Sequence, residues 1–205
     1  MDWLDSNIYI KEEALYFDSK IPSVMSKDED LIMEKSAQIL CKNKGSILNV
    51  GFGMGIIDSY IKSYSPKKHT IIEIHPKVYE MALEMGFKEN IILGDWEDVV
   101  QEFITDKVTF DSIYFDTISF SKENDQWGKF TKVVDKLLNP GGIYCFFNQY
   151  GSVRGKVEEY MDKLDYKKIV EIIPYDKIIK NVSRSNPKLS KKNYRLVYYI
   201  KNNLS

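Results

Sequence analysis

A glycine-rich turn between an apolar run and a helical pattern constrains the fold of this chain more than any other feature. Gly51, Gly53 and Gly55 follow the apolar run 46–50 and precede segment 56–61, whose apolar residues recur at helical spacing. Glycine permits the positive φ values that bring a backbone close to a ligand, and a helix start offers unpaired N–H groups. The pattern therefore predicts a strand, a ligand-binding turn and a helix.

A carboxylate downstream favours a nucleotide as the ligand of this turn. Glycine turns of this type occur in dehydrogenases, in methyltransferases and in turns that bind nothing. Glu73 lies near the end of the next apolar run, 70–74. Its spacing of about 20 residues from Gly53 suits an acid that binds ribose hydroxyls. The alternative is that Glu73 is a solvated residue at the end of a strand.

Length, charge and cysteine content narrow the class of protein. The chain has 205 residues and a net charge of −1, so one domain is expected and no global charge favours nucleic acid. No apolar run reaches the ~20 residues of a membrane helix, and the acidic start lacks the basic region of a signal peptide. Cys41 and Cys145 fit reduced core residues. We therefore expect a cytoplasmic protein with no membrane partner.

Apolar runs alternate with helical patterns after residue 45. Strands are predicted at 47–51, 69–74, 90–94, 109–116, 143–147, 166–174 and 193–201. Helices are predicted at 54–63, from 76 onward, from 96 to about 104, at 124–138 and at 152–164. This alternation predicts a parallel sheet covered on both faces, and the last two strands, which no helix separates, predict an antiparallel hairpin.

The N-terminal part and the hairpin tip are less constrained. A short helix is predicted at 12–17, as a lid over the glycine turn or as a packed flap, and a longer helix from Ser26 to Gly45. Segment 177–192 is rich in lysine and arginine. It is either a solvated loop or a basic gate for an anionic substrate or a protein.

Polar residues follow several predicted strands at the edge of the sheet where ligands of open α/β sheets bind. Asp95 can accept a hydrogen bond from an adenine amino group, and Trp96 can lie against the base. The alternative for Trp96 is a position in the core. Because His69 and His75 lack ligand spacing to cysteines or acids, no metal is predicted.

Five motifs resemble those of the guanidinoacetate N-methyltransferase family and its relative, the fungal arginine delta-N-methyltransferases. They lie at 49–55, 71–73, 94–99, 110–117 and 139–142. The resemblance covers residues 3 to about 150 and fades after Gly151. It implies an α/β, Rossmann-like class I methyltransferase with a seven-stranded, mostly parallel sheet, a C-terminal antiparallel hairpin and an N-terminal helical lid. It also implies S-adenosylmethionine as the cofactor and S-adenosylhomocysteine as its product.

The resemblance also implies roles for individual residues. Residues 1–45 would form the lid and substrate helix, and 46–205 the cofactor-binding domain, within one compact domain. Cofactor-binding residues would be Trp3, Met33, Gly51, Phe52, Gly53, Met54, Gly55, Ile56, Ile57, Glu73, Ile74, His75, Asp95, Trp96, Glu97 and Asp116. Substrate-binding residues would be Met25, Glu29, Asp116, Thr117, Gln149 and Tyr150. Glu29 and Asp116 match the two guanidino-binding carboxylates and would be catalytic, with Asp116 accepting a proton and Glu29 orienting the acceptor.

The sequence departs from the family in ways that leave the acceptor open. Asn49 stands where the family has an acid before the glycine turn, and the residues around Glu29, after Thr117 and at 149–150 also differ. The expected partner is a small guanidino compound rather than nucleic acid, and a homodimer is left open. A non-guanidino acceptor, such as an amine or a peptide, is one alternative. A cofactor-binding subunit without catalysis is another.

Overall fold

The computed structural model describes most of the chain in seven stretches. They are 3–11, 13–17, 25–117, 125–148, 155–164, 166–174 and 193–203. Gln149, Tyr150 and the basic segment 177–192 lie outside the described residues, so their predicted roles stay predictions.

After residue 45, the described residues form strands and helices within a few residues of the predicted bounds, except that the strand predicted at 143–147 already begins at Leu138. The strands are β1 (Ile8–Lys11), β2 (Ala14–Phe17), β3 (Met25–Ser26), β4 (Ser46–Val50), β5 (Lys68–Glu73), β6 (Ile91–Leu93), β7 (Phe110–Phe115), β8 (Leu138–Phe146), β9 (Tyr166–Pro174) and β10 (Asn193–Lys201). The helices are α1 (Asp30–Leu40), α2 (Ile56–Ser63), α3 (Pro76–Glu84), α4 (Trp96–Thr105), α5 (Gln126–Leu137) and α6 (Gly155–Met161). No helix in these stretches is both long and apolar enough to cross a membrane.

Seven strands form one sheet in the order β6-β5-β4-β7-β8-β10-β9. Strand β4 pairs in parallel with β5 and β7, and β10 pairs antiparallel with β8 and β9. The predicted mostly parallel sheet and its C-terminal hairpin are therefore confirmed. The strand order reverses beside β4, which is the place where an open α/β sheet binds its ligand.

Hydrophobic residues cover both faces of this sheet. One cluster joins α4, α5 and α6 to the sheet around Phe115, Phe130 and Tyr144. A second cluster joins α1 and α2 to the opposite face around Ile47 and Met33. Because successive residues of a strand point to opposite faces, Leu48 and Val50 belong to the first cluster and Ile47 to the second. The strands are thus held rigidly behind their carboxyl ends.

The N-terminal segment is a small antiparallel sheet, and the predicted short helix at 12–17 is wrong. Strand β2 pairs with β1 on one side and with β3 on the other. Glu13 has a φ of +65° in the turn between β1 and β2, which a helix does not allow. Isoleucine, tyrosine and phenylalanine favour strands. Leu15 and Phe17 are two positions apart on β2, so they point to the same face, and both are buried.

Helix α1 begins directly after a 3-10 turn, Lys27–Glu29. The side chain of Ser26 accepts a hydrogen bond from the N–H of Asp28, which ends the strand and starts this turn. The turn places Glu29 at the N-terminus of α1, beside the carboxyl edge of the large sheet.

Candidate functional site

A cleft that is partly open to solvent lies at the carboxyl ends of the parallel strands. The residues that line it come from the N-terminal sheet, the glycine turn, the ends of β4 to β7 and the first turns of α2 to α5. They are Leu15, Phe17, Met25, Val50, Gly51, Phe52, Gly53, Ile57, Ile72, Glu73, Ile74, Val78, Gly94, Asp95, Trp96, Asp116, Thr117 and Gln126.

The glycine turn needs glycine for two physical reasons. Gly51, Gly53 and Gly55 have φ values of +93°, +56° and +67°, which other residues rarely adopt. A Cβ atom on Gly51 would also lie 1.9 Å from the backbone oxygen of Asp116. The turn therefore keeps its backbone directly against the end of β7.

Met25 packs over this turn from strand β3. Its Sδ accepts a hydrogen bond from the backbone N–H of Met54 at 3.1 Å. A Cβ on Gly53 would lie 2.8 Å from the same sulfur. The N-terminal sheet is thus in direct contact with the glycine turn.

The Glu73 carboxylate is buried at the end of β5 and bonded to backbone on both sides. One of its oxygens accepts from the N–H of Phe52 at 2.9 Å and the other from the N–H of His75 at 2.8 Å. Burial raises the pKa of Glu73, while the backbone hydrogen bonds act in the opposite direction. Each carboxylate oxygen can accept a second hydrogen bond, so Glu73 can also bind ligand hydroxyls in the cleft.

Trp96 occupies an intermediate position between the core and the cleft. Its ring meets Phe115 and Phe130 edge-on, and its Nε1–H donates to the side-chain oxygen of Gln126. Asp95 is exposed beside it and accepts a hydrogen bond from the N–H of Glu97 at the start of α4. The two alternatives for Trp96 are therefore compatible, because one edge is packed and the residue still lines the cleft.

Glu29 and Asp116 interact electrostatically, and Asp116 lines the cleft. The N–H of Asp116 donates to the carbonyl of Val50 at 2.9 Å, which fixes its backbone beyond β7. Burial raises the pKa of the Glu29 carboxyl well above its usual value, and the charges of Asp116 and Asp28 raise it further. Because the two carboxylates repel each other and are partly shielded from water, they attract a cation strongly.

Several predicted residues lie next to the cleft lining rather than in it. Met33 is fully buried below the site, where its sulfur accepts from the hydroxyl of Tyr114 at 3.5 Å. The backbone N–H of His75 holds Glu73, as described above. Trp3 opens a 3-10 turn, Trp3–Asp5, and its predicted contact with the cofactor stays a prediction. The other residues in this position are Met54, Gly55, Ile56 and Glu97.

Tyr194 on β10 approaches the carboxylate pair although the sequence reasoning missed it. Its hydroxyl oxygen accepts from the N–H of Asn148 at 3.0 Å. Burial raises the pKa of Tyr194 well above its usual value, and the nearby charges of Asp116 and Glu29 add to this shift. No local motif marks Tyr194, because only the antiparallel pairing of β10 with β8 brings it here.

The hairpin residues Leu15 and Phe17 were also missed, together with Val78 and Gln126. All four line the cleft. For Leu15 and Phe17 a signal existed in the alternation of apolar residues at 15 and 17, which the helical interpretation of 12–17 obscured.

Residues 3–194 match the profile of the guanidinoacetate N-methyltransferase family. The chain belongs to this family. Membership confirms the family that the five sequence motifs resemble, whose cofactor is S-adenosylmethionine. The cleft fits S-adenosylmethionine, because the backbone of the glycine turn faces it and two of its acids, Glu73 and Asp95, can accept hydrogen bonds from a ribose and an adenine.

Fungal proteins named protein arginine N-methyltransferase 2 are among the similar sequences. The Candida glabrata protein is 35% identical over 179 residues, covering 83% of this chain and 42% of its own length. The Yarrowia lipolytica protein is 34% identical over 183 residues, covering 84% and 37%. The Aspergillus oryzae protein is 38% identical over 157 residues, covering 74% and 38%. The chain thus spans about two fifths of the length of these curated relatives.

Solved structures that are distant in sequence share the fold. The O-methyltransferase TomG from Streptomyces achromogenes, in complex with SAM, has a TM-score of 0.60 at 14% identity, covering 89% of this chain and 83% of that one. The M. jannaschii tRNA m1G37 methyltransferase has a TM-score of 0.56 at 15% identity, covering 98% and 57%. These likenesses confirm the methyltransferase fold of this member of the guanidinoacetate N-methyltransferase family.

Proposed function

We propose that this protein transfers a methyl group from S-adenosylmethionine to a guanidino nitrogen of arginine or of a small arginine-like compound. The observation that carries the proposal is the electrostatic interaction of the Glu29 carboxyl with Asp116, a residue that lines the cleft. The names of the fungal relatives support arginine as the type of acceptor. Whether the arginine is free or part of a protein is for the experiment to decide.

The carboxylate pair suits a guanidinium for electrostatic and geometric reasons. A guanidinium stays protonated near neutral pH and offers a planar set of N–H donors. Carboxylates accept such donors in short, charge-assisted pairs of hydrogen bonds. The mutual repulsion of Glu29 and Asp116 is relieved when the cation binds between them, so the free energy of this repulsion adds to the discrimination against neutral acceptors.

The same residues account for proton transfer during the reaction. When bound, S-adenosylmethionine supplies a methyl group on a positively charged sulfur. A guanidinium nitrogen that takes this methyl forms a carbon–nitrogen bond, the carbon–sulfur bond breaks, and the nitrogen loses one proton. Asp116 follows β7 at the cleft lining and is our proposed proton acceptor, while Glu29 holds the acceptor in line with the methyl group.

The remaining cleft residues are proposed to hold the cofactor. Glu73 accepts ribose hydroxyls, and Asp95 and Trp96 contact the adenine. Gly51, Phe52, Gly53 and Ile57 lie against the methionine part. Met25 and Thr117 border the acceptor, since they line the cleft together with Asp116.

A screen of guanidines with the Glu29→Gln variant tests the proposed function. Purified protein receives labelled S-adenosylmethionine with guanidinoacetate, free arginine or an arginine-containing peptide, and methylated product is measured. Glu29→Gln is expected to raise KM for the true acceptor roughly 10- to 100-fold, because a hydrogen bond to a charged group contributes about 1.5–3 kcal/mol. The cofactor affinity is expected to stay unchanged.

Asp28→Asn is the matched control, because Asp28 is the neighbouring carboxylate but is exposed. It is expected to leave KM within about 2-fold of the parent, since exposed charges interact weakly. The proposal fails if no guanidine is methylated by a protein that binds S-adenosylhomocysteine, or if Glu29→Gln behaves like Asp28→Asn.

The raised pKa of Glu29 predicts the pH dependence of both activity and stability. A cationic acceptor needs the ionised carboxylate, so kcat/KM is expected to rise with pH through the raised pKa of Glu29. The folded state disfavours the charged form, so the ligand-free protein should lose stability as pH rises from the usual Glu value, about 4.3, through that raised pKa. Glu29→Gln should therefore unfold at a higher temperature than the parent near pH 8 but not near pH 4. Thermal unfolding at both pH values checks this, and equal melting temperatures at every pH would contradict it.

A further inference from the structure

A second polar cluster lies beneath the glycine turn, on the side away from the cleft. Asn49 and Asp58 are fully buried there, and His69 is nearly so. The side-chain nitrogen of Asn49 lies 2.9 Å from the carbonyl oxygen of Gly51 and 2.9 Å from both carboxylate oxygens of Asp58. Nε2 of His69 lies 3.0 Å from one of those oxygens. None of these three side chains lines the cleft, and the proposed reaction does not use them.

The orientation of Asn49 follows from its neighbours. The carbonyl of Gly51 and the carboxylate of Asp58 can only accept hydrogen bonds, so the NH₂ group of Asn49 must face both. One donor group thereby ties the glycine turn to helix α2. A carboxylate at position 49 would instead place three acceptors against one another.

The side chain of His69, on strand β5, approaches the Asp58 carboxylate from the other side. His69 is positioned by its own backbone, because the side chain of Asn90 donates to the carbonyl of His69 at 2.8 Å. Strand β5 also meets the glycine turn directly, since the N–H of Gly51 donates to the carbonyl of Ile72 at 2.8 Å. Asn49 therefore connects the turn to helix α2 by buried hydrogen bonds, and the imidazole of His69 on β5 lies against the same carboxylate.

We propose that Asp58 is a positioning residue for the glycine turn, acting through Asn49. It supplies from helix α2 the carboxylate that holds the amide of Asn49 against the glycine turn. The inference rests on the proposed cofactor site but not on the proposed acceptor. Loss of the pair loosens the carbonyl of Gly51, so it weakens cofactor binding and leaves KM for the acceptor unchanged.

A double-mutant cycle measures the coupling between the two residues. Asn49→Ala and Asp58→Ala are each expected to weaken binding of S-adenosylhomocysteine about 10-fold, because each leaves a buried polar partner unsatisfied. The double variant should bind within about 3-fold of the worse single variant instead of losing about 100-fold, since both partners are then absent. Ser112→Ala is the control: its hydroxyl is equally buried and donates to the carbonyl of Leu40 at 2.7 Å, but it pairs with Ile47, farther from the glycine turn than Asn49, and contacts neither Asn49 nor Asp58 by hydrogen bond. It should lower the melting temperature only.

A second pair of variants exchanges acid and amide and remains informative if the alanine variants do not fold. Asn49→Asp alone places two buried carboxylates in contact, and it is expected to lower both the melting temperature and the cofactor affinity. Adding Asp58→Asn should relieve this and recover at least about 5-fold of the affinity. The inference is overturned if Asp58→Asn worsens the loss, or if the alanine effects multiply. Thermal unfolding without ligand reports the same coupling between Asn49 and Asp58. A parent protein that fails to bind S-adenosylhomocysteine would therefore refute the proposed cofactor site, while the coupling of the two residues could still be measured.

Discussion

Asp116→Asn is expected to lower kcat about 1,000-fold with every guanidino acceptor. A positioned general base contributes roughly 10²- to 10⁴-fold, and asparagine can neither take the proton nor balance the charge of a guanidinium. Asp116 lines the cleft directly after β7, with its backbone held by Val50. Asparagine has nearly the same shape, so the fold and the binding of S-adenosylhomocysteine should change little. Single-turnover kinetics with saturating acceptor measure the effect without interference from product release.

Two further readouts separate this role from a structural one. The charge of Asp116 raises the pKa of Glu29, so in Asp116→Asn the rise of kcat/KM with pH should move to lower pH. Asp106→Asn is the control, because Asp106 is an exposed carboxylate at the end of α4. It should leave kcat unchanged. An Asp116→Asn variant that keeps more than about a tenth of the parent kcat would refute the assignment of the proton acceptor.

The sheet and the cofactor side of the cleft were predictable from sequence because local patterns determine them. Parallel strands are buried on both faces, so they are visible as apolar runs, and their carboxyl ends must meet at one edge. Gly51, Glu73 and Asp95 are each next to such a strand end. Their place in the cleft therefore follows from the alternation of strands and helices alone.

The acceptor side depends on contacts between distant parts of the chain, and prediction from residues was weaker there. Tyr194 reaches the carboxylates only because β10 pairs with β8, and Leu15 reaches the cleft only because β2 pairs with β1. Strands β1 and β2 have four residues each, which is too few for the residue pattern to distinguish a strand from a helix. Asn49 and Asp58 lie on different elements, and only the folded glycine turn brings them into contact. Family resemblance paired Glu29 with Asp116, which composition and spacing could not do, and this pairing stays a prediction.

Gly51→Ala is expected to destabilise the protein by more than about 3 kcal/mol and to abolish measurable cofactor binding. Alanine at a φ of +93° is strained by roughly 1–3 kcal/mol. In addition, its Cβ would lie 1.9 Å from the backbone oxygen of Asp116, which cannot rotate away as a side chain could. Relief of this contact requires the ends of β4 and β7 to separate, and both border the cleft.

Gly86→Ala isolates the contribution of the clash from that of backbone strain. Gly86 has a similar φ of +82°, but the nearest atom to an added Cβ is the end of the flexible Lys62 side chain at 3.4 Å. The control should therefore show the cost of strain alone, about 1 kcal/mol, and bind S-adenosylhomocysteine normally. Urea unfolding and calorimetric titration of both variants decide the question. If Gly51→Ala were no less stable than Gly86→Ala and still bound the cofactor, the backbone of the turn would not have to lie against Asp116, and the proposed geometry of methyl transfer would lose its basis.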